Sequence, residues 1–418
     1  MKNLLIPLLA LLIWSTSYGQ NQKAAKLKIF VDCQTSCYQT FLKQNLKGVE
    51  FVRDPHDADV YILINAETNG SGGDTYYIET EGQKQYEGIK EKITFNTHAD
   101  MQDEEIREKL LKYLKLVLAR YWAAGGMDDL FDIHIREASA PVKIEDKWNN
   151  WVFRIGMNAY GSGDSNYSNI HTSTSLSARQ VKEKHKFALR MRYSKGHQRY
   201  FYGTQIIKAV KESMSLSTSE VLAIDQHWSY GFFGGMSRSI YSNYRFSGYV
   251  NGGIEYNFFP YKESSKHMLT MQATVGPVRN IYFEKTIFGK TMETLWQSNL
   301  SISTNIIRKW GNIDAHIGYS QYVGHPALRS FDFYTGLQWR VVKGLNFHLS
   351  GMYAITHDKI NIAAGGATLE EILLRQKELL SSYSFFVSTG LSYSFGSIYN
   401  TIVNPRFEGS GSIRVFYF

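Results

Sequence analysis

The sequence predicts a mainly β protein: a small α/β domain followed by a transmembrane antiparallel β-barrel of twelve strands, with ten as the alternative count. Three observations lead there. Beyond Pro141, segment after segment alternates apolar and polar residues, the period-two pattern of a strand with two unlike faces. The chain carries 28 Tyr, 24 Phe and 8 Trp beside 34 Gly and only 7 Pro, yet no later segment approaches the roughly 20 consecutive apolar residues of a membrane helix. Its start reads as an export signal, with Lys2, an apolar run from Leu4 to Ile13, and small residues before Gln20. That pattern predicts cleavage after Gly19. An exported chain meets no nucleic acid, and the net charge of +8 is spread along the sequence rather than clustered.

The predicted organisation is a signal peptide over 1–19, a periplasmic α/β domain over 26–135, a linker over 136–147, the barrel over 148–395 and a tail over 396–418. In the α/β segment, "KLKIFVD", "VEFVRD", "ADVYILINA", "DTYYIETEG" and "EKITFNT" read as strands, and "CYQTFLKQNL" as a short helix ending before Gly48. "NGSGGD" supplies turn residues and lacks the Lys-Ser/Thr of a phosphate loop. A longer helix is predicted from Asp103 to Ala123. Ile106, Leu110, Leu114, Val117 and Tyr121 fall at helical spacing, and acids crowd the first turn as the macrodipole prefers.

The only cysteines are Cys33 and Cys37. In an oxidising compartment such a pair predicts a disulfide, with Cys33 ending a strand and Cys37 in the first turn of a helix. A zinc site wants further ligands, and a thioredoxin-like pair wants C-x-x-C spacing rather than C-x-x-x-C.

In the barrel segment, "WVFRIGMNAY" sets Trp151, Phe153, Ile155 and Met157 against Arg154, Gly156 and Asn158. "KFALRMRYS", "NIDAHIGYS", "FDFYTGLQWR" and "SYSFFVSTGLSYSFG" repeat the alternation. In a membrane barrel the apolar face meets lipid and the polar face lines the lumen. Arg154, Arg190, Arg192, Asp314, Asp332, Arg340 and His348 are therefore predicted to face the lumen. Eleven candidate strands can be drawn, one of them near 220–237, and the stretch 197–240 is long enough to hide another. An even count makes twelve. "KEKH", "KWGN" and "VVKG" read as tight turns on the periplasmic side. The long connection after 345–356 contains "ATLEEILLRQKELL", a helix with Thr368 and Glu371 placed as a capping box, expected to fold over the barrel mouth.

Five stretches carry a resemblance: Asp57–Ile64, Gly70–Asp74, "IEYNFFPY" at 254–261, "GGATLEEILLRQKEL" at 365–379 and Gly390–Phe407. In these the chain resembles a Bacteroidota-type family of outer-membrane β-barrel proteins with an N-terminal periplasmic α/β domain. The resemblance implies location and architecture, and no substrate.

The segment "STGLSYSF" fits the closing-strand pattern of bacterial barrels at Ser388, Gly390, Tyr393 and Phe395, which predicts recognition by the barrel-insertion machinery. His348 and Ser350 share the polar face of one strand at the spacing of some barrel lipid hydrolases, but no orienting acid or oxyanion donor is identifiable. The sequence points to no enzyme, cofactor or metal site. The expected partners are outer-membrane lipid and a periplasmic protein bound through 26–135. The expected function is an anchored scaffold or assembly role, with a narrow channel as the alternative and a lipid hydrolase as a third.

Overall fold

The computed structural model describes residues 26–127, 146–365, 378, 381–404 and 406. The predicted export signal, most of the predicted linker, nearly all of the predicted mouth helix and the last twelve residues lie outside these.

The amino-terminal domain is a five-stranded sheet with two helices on one face. Its elements are β1 (Leu27–Cys33), α1 (Gln39–Asn45), β2 (Val49–Phe51), β3 (Val60–Thr68), β4 (Gly72–Gly82), β5 (Lys90–His98) and α2 (Asp103–Ala124). The strand order is β2-β1-β3-β4-β5. β1 runs parallel to β2 and β3, and the remaining pairs are antiparallel. The predicted stripe of α2 is its buried face: Leu110, Leu114, Val117 and Tyr121 pack on Ile29, Val60, Ile62, Ile64 and Ile78. Each such buried aliphatic side chain stabilises by roughly 1.5–3 kcal/mol. Gln102 and Glu105 close a reciprocal capping box at the start of α2, which satisfies backbone donors that the first turn leaves unpaired.

β3 departs from simple alternation. Val60 to Asn65 are all buried, because the even positions face the helices while Tyr61, Leu63 and Asn65 face the second sheet. A strand covered on both faces reads as a continuous apolar run, which explains "ADVYILINA".

The second sheet has twelve strands in sequential antiparallel order. They are β6 (Trp151–Gly163), β7 (Tyr167–Lys182), β8 (His185–Tyr202), β9 (Gln205–Ala223), β10 (Trp228–Ser239), β11 (Tyr244–Asn257), β12 (His267–Tyr282), β13 (Met292–Arg308), β14 (Gly311–Tyr322), β15 (His325–Val342), β16 (Leu345–Thr356) and β17 (Tyr383–Tyr393). Twelve is the predicted count. The hidden strand is β9, so the expected single strand near 220–237 is instead the end of β9, a short turn and most of β10.

The apolar face is bare. Phe153, Ile155 and Met157 on β6 are 59%, 75% and 78% exposed, and Phe385, Val387 and Leu391 on β17 are 66%, 63% and 69% exposed. In water such a surface would be a liability far beyond the few hundred Å² that soluble monomers tolerate. Against lipid it is the expected exterior.

Two contacts show that the sheet is rolled. Flat, twelve strands spaced about 4.8 Å apart would span about 53 Å, against about 19 Å for the five-stranded domain. Yet the small domain reaches both ends of the series. A Cβ at Gly72 would lie 3.7 Å from Val152 on β6, and Arg53 donates to the Phe395 carbonyl just past β17 at 3.1 Å. At the other end, the segment after β16 crosses to strands far along the sheet. Thr286 and Ala363 form an antiparallel bridge, and Asn243 donates to the Asn361 carbonyl at 2.9 Å. The architecture is of barrel type. Among the described residues no ladder joins β6 to β17.

Candidate functional site: the lumen and its docked domain

Following the register from strand to strand puts all seven predicted lumen residues on one face. Arg154 and Arg190 flank Ser177, and Arg192 lies opposite Ser175. Asp314 pairs with Asn305 and Gly336, Asp332 with Gly318, Arg340 with Asn346, and His348 with Gln338 and Gly390. That face is the concave one, since Ser320 on it donates to Asp358 from the segment crossing the mouth, at 3.3 Å.

The two walls of the lumen differ. On β14 and β15 the polar groups satisfy one another: His316 bonds Ser303 at 2.8 Å and lies 3.4 Å from Asp332, and Asn305 donates to Asp314 at 3.3 Å. On β6 and β8, Arg154, Arg190 and Arg192 ion-pair with no described carboxylate. Of the residues matching the closing-strand pattern, Ser388 and Gly390 sit on the lumen face, while Tyr393 stacks on Phe395 with ring centres 5.7 Å apart. A Cβ at Gly390 would meet the His348 ring at 2.2 Å, so the ring occupies the space a side chain would need. His348 and Ser350 do share the lumen face.

The end of the sheet that carries the tight turns is occupied by the domain. "KEKH", "KWGN" and "VVKG" all turn at this end, and here the domain presents the outer face of β1, β3 and β4. Its acids meet barrel cations. Arg340 donates to Asp32 at 2.7 Å, Lys309 lies 2.8 Å from Glu81, Lys266 pairs with Glu79, and Lys343 pairs with Asp57. Backbone groups join in. The Gly344 N–H donates to Asp54 at 2.8 Å from a turn residue at φ 76°, a conformation glycine adopts without strain. Asn65 donates to the Ser265 carbonyl, and Ser264 to Glu67 at 2.9 Å.

Asp32 is the centre of this seat. It is 3% exposed, and an isolated buried carboxylate would be costly. Three donors compensate it: Tyr61 at 2.6 Å and Arg340 at 2.7 Å on one oxygen, and Gln34 at 2.8 Å on the other. The Arg340 guanidinium also lies 5.3 Å above the Phe30 ring, and Lys309 lies 5.3 Å above Tyr61. Burial, then the Asp32 charge, pushes the Tyr61 phenol far above its ordinary pKa. Burial, then Arg308, pulls the Lys266 ammonium below its own. Tyr61, Leu63 and Ile307 form a small apolar core between the two halves.

Cys33 and Cys37 are joined as a disulfide next to this seat, with Cα atoms 6.0 Å apart. Cys33 ends β1 as expected. Cys37 precedes α1 rather than lying in its first turn, because Tyr38 at φ 48° holds the N-cap position. The described part of the tail, up to residue 404, lies under the barrel. Tyr399 bridges Val52, and Asn400 donates to the Phe51 carbonyl at 2.7 Å, so the tail lines the β2 edge of the domain sheet.

Arg340 was expected to face the lumen, and it closes on Asp32 of the domain instead. Asp32, Glu67, Glu79 and Glu81 were readable only as surface acids. One signal was present: Glu79 and Glu81 alternate with buried Ile78 and Thr80 on β4, beside the apolar Tyr61 and Leu63 of β3, so that side of the sheet needed a cover.

Fold and site together define a β-barrel protein whose lumen is capped at one end by its own α/β domain. No protein-family model matches the chain, and no curated protein matches it. Among solved structures, a NanC porin in a rhombohedral crystal form is similar at 7% identity and a TM-score of 0.28, over 58% of this chain and 100% of that one.

Proposed function

We propose that this chain is an outer-membrane barrel anchoring a periplasmic α/β domain, with an envelope scaffold or assembly role. The placement agrees with the Bacteroidota-type resemblance of its sequence. One observation carries the reading: the acidic face of β1, β3 and β4 is clamped onto the basic turns of the barrel by Arg340, Lys309, Lys266 and Lys343. A domain held this way stays at the membrane and leaves its helical face turned toward the periplasm for a protein partner. In this reading the chain is no enzyme and uses no cofactor. It meets lipid, the insertion machinery and that partner.

A second reading has its own observation. The arginine wall of β6 and β8, ion-paired with no described carboxylate, suits a narrow anion-preferring channel, with the domain as its lower gate. Planar-bilayer recording of the full chain separates the two. The scaffold reading expects a flat trace that stays flat in Glu79→Lys/Glu81→Lys, together with co-purification of a periplasmic protein. The channel reading expects conductance that rises when those two acids are reversed.

A further inference from the structure

The first and last strands of the barrel leave a seam. β6 and β17 each pair on one side only among the described residues, and their apolar side chains are among the barest of the sheet. β6 leaves the domain end and β17 returns to it, so the two are antiparallel and a ladder between them needs no change of topology. Unpaired strand edges are not tolerated in hydrocarbon. The seam is therefore stable open only where water from the lumen, or a bound molecule, reaches its backbone.

What flanks the seam inside differs between its two sides. On the β6 side stand Arg154, Arg190 and Arg192, ion-paired with no described carboxylate. On the β17 side, Phe386, Met352 and Tyr334 lie in one cross-strand row on the lumen face. They are 55%, 46% and 46% exposed, a bare apolar row beside the Gly336, Ser350 and Ser388 of the same three strands. A water-filled pore gains nothing from such a row, and a scaffold needs neither feature. A cationic wall opposite an apolar row, across a gap that opens onto lipid, is complementary to an amphiphile.

We propose that the β6–β17 seam is a lateral entry for an anionic membrane lipid. Its acyl chain lies on Phe386, Met352 and Tyr334, and its headgroup is held by Arg154, Arg190 and Arg192. This rests on the membrane placement proposed above.

The test uses the full chain folded into phosphatidylcholine vesicles doped with phosphatidylglycerol, with heat-modifiable gel mobility as the folding control. A chain that will not fold into vesicles sinks the membrane placement itself. For the folded protein, native mass spectrometry after detergent extraction reads retained lipid. Phosphatidylglycerol should be retained over phosphatidylcholine by at least about tenfold. Arg190→Gln/Arg192→Gln should abolish that preference, and Arg190→Lys/Arg192→Lys should keep most of it. Phe386→Ser should lower retention of both lipids. Oxidising Asn158→Cys against Ser384→Cys, Ser388→Cys or Ser392→Cys should lock the seam in at least one pairing and slow uptake. Equal retention of the two lipids overturns the proposal, as does a preference that survives the glutamine variant. Full displacement by inorganic phosphate also overturns it, because the site would then hold a free anion and no acyl chain.

Discussion

The two sheets of this chain use one sequence rule to opposite ends. In the domain, Ile62 and Ile64 point to an enclosed core and the intervening Tyr61 and Leu63 are covered by a neighbour. In the barrel, Phe153, Ile155 and Met157 point outward and stay bare, while Arg154 and Asn158 point in. Alternation alone specifies two faces of a strand and does not say which face is inside. What separates the sheets is what each has to pack against: two helices and a ring of turns for the five-stranded sheet, and no described part of the protein for the bare face of the twelve-stranded one. The seat between them belongs to both, with an apolar centre like a core and an ionic rim like a surface.

The largest test of that contrast is deletion of the same kind of side chain from each region. Leu114 is fully buried on α2, and Leu114→Ala should cost about 2–5 kcal/mol, melting the domain in urea while the barrel keeps its gel mobility. Ile155→Ala, at a residue 75% exposed, should stay within about 0.5 kcal/mol in detergent. Equal losses would mean that the barrel exterior is packed against something.

A second pair turns the comparison inside out. Leu300 and Ser301 are neighbours on β13, with Leu300 on the bare face opposite Ala273 and Tyr319, and Ser301 on the lumen face opposite Gln272 and Gly318. In a bilayer Leu300→Arg should cost about 2–4 kcal/mol near the midplane. Ser301→Arg should cost much less, because its charge enters the lumen. Folding yield into vesicles along a urea series reads both, and a reversed order would assign the faces the other way.

Much of this contrast was legible beforehand. The twelve strands, the shared face of seven polar residues, the buried stripe of α2 and the tight turns at one end of the sheet all follow from periodicity and turn residues, which are local. The seat was not legible, because Asp32 and Arg340 are separated by 308 positions and nothing in either neighbourhood names the other. The seam was not legible either. Closure depends on how strongly the whole sheet curls, a property summed over all of its strands rather than written in any one.

The seat itself should respond less than the cores. Arg340→Ala leaves Asp32 with Tyr61 and Gln34 as donors, so the loss should be about 1–3 kcal/mol of docking. Limited proteolysis should then cut between domain and barrel in Arg340→Ala and spare the wild type. Lys343 is more exposed, and Lys343→Ala should shift docking by less than about 1 kcal/mol. If Lys343→Ala proves the more damaging, the rim rather than Asp32 holds the domain.

The smallest effect expected is a pH dependence that belongs to one side of the comparison only. Asp54 accepts the His56 N–H at 3.0 Å, the His56 imidazole at 2.7 Å and the barrel's Gly344 N–H at 2.8 Å. Burial works to raise its carboxyl, but those hydrogen bonds outweigh burial and hold it below the usual value. A carboxylate depressed in the folded state contributes stability that is fully present above its unfolded pKa, about 4, and is lost as pH falls through the lower folded value. Domain stability should therefore be flat in this contribution from neutral pH down to about 4 and decline below it, while the barrel's gel mobility is unchanged. In Asp54→Asn the decline should be shallower, and in Arg340→Ala, where the Gly344 contact that helps depress Asp54 is loosened, it should begin at the same pH and be shallower than in the wild type. A barrel that shifted in step with the domain over this range would show that the two sheets unfold as one unit, with the seat as strong as either core.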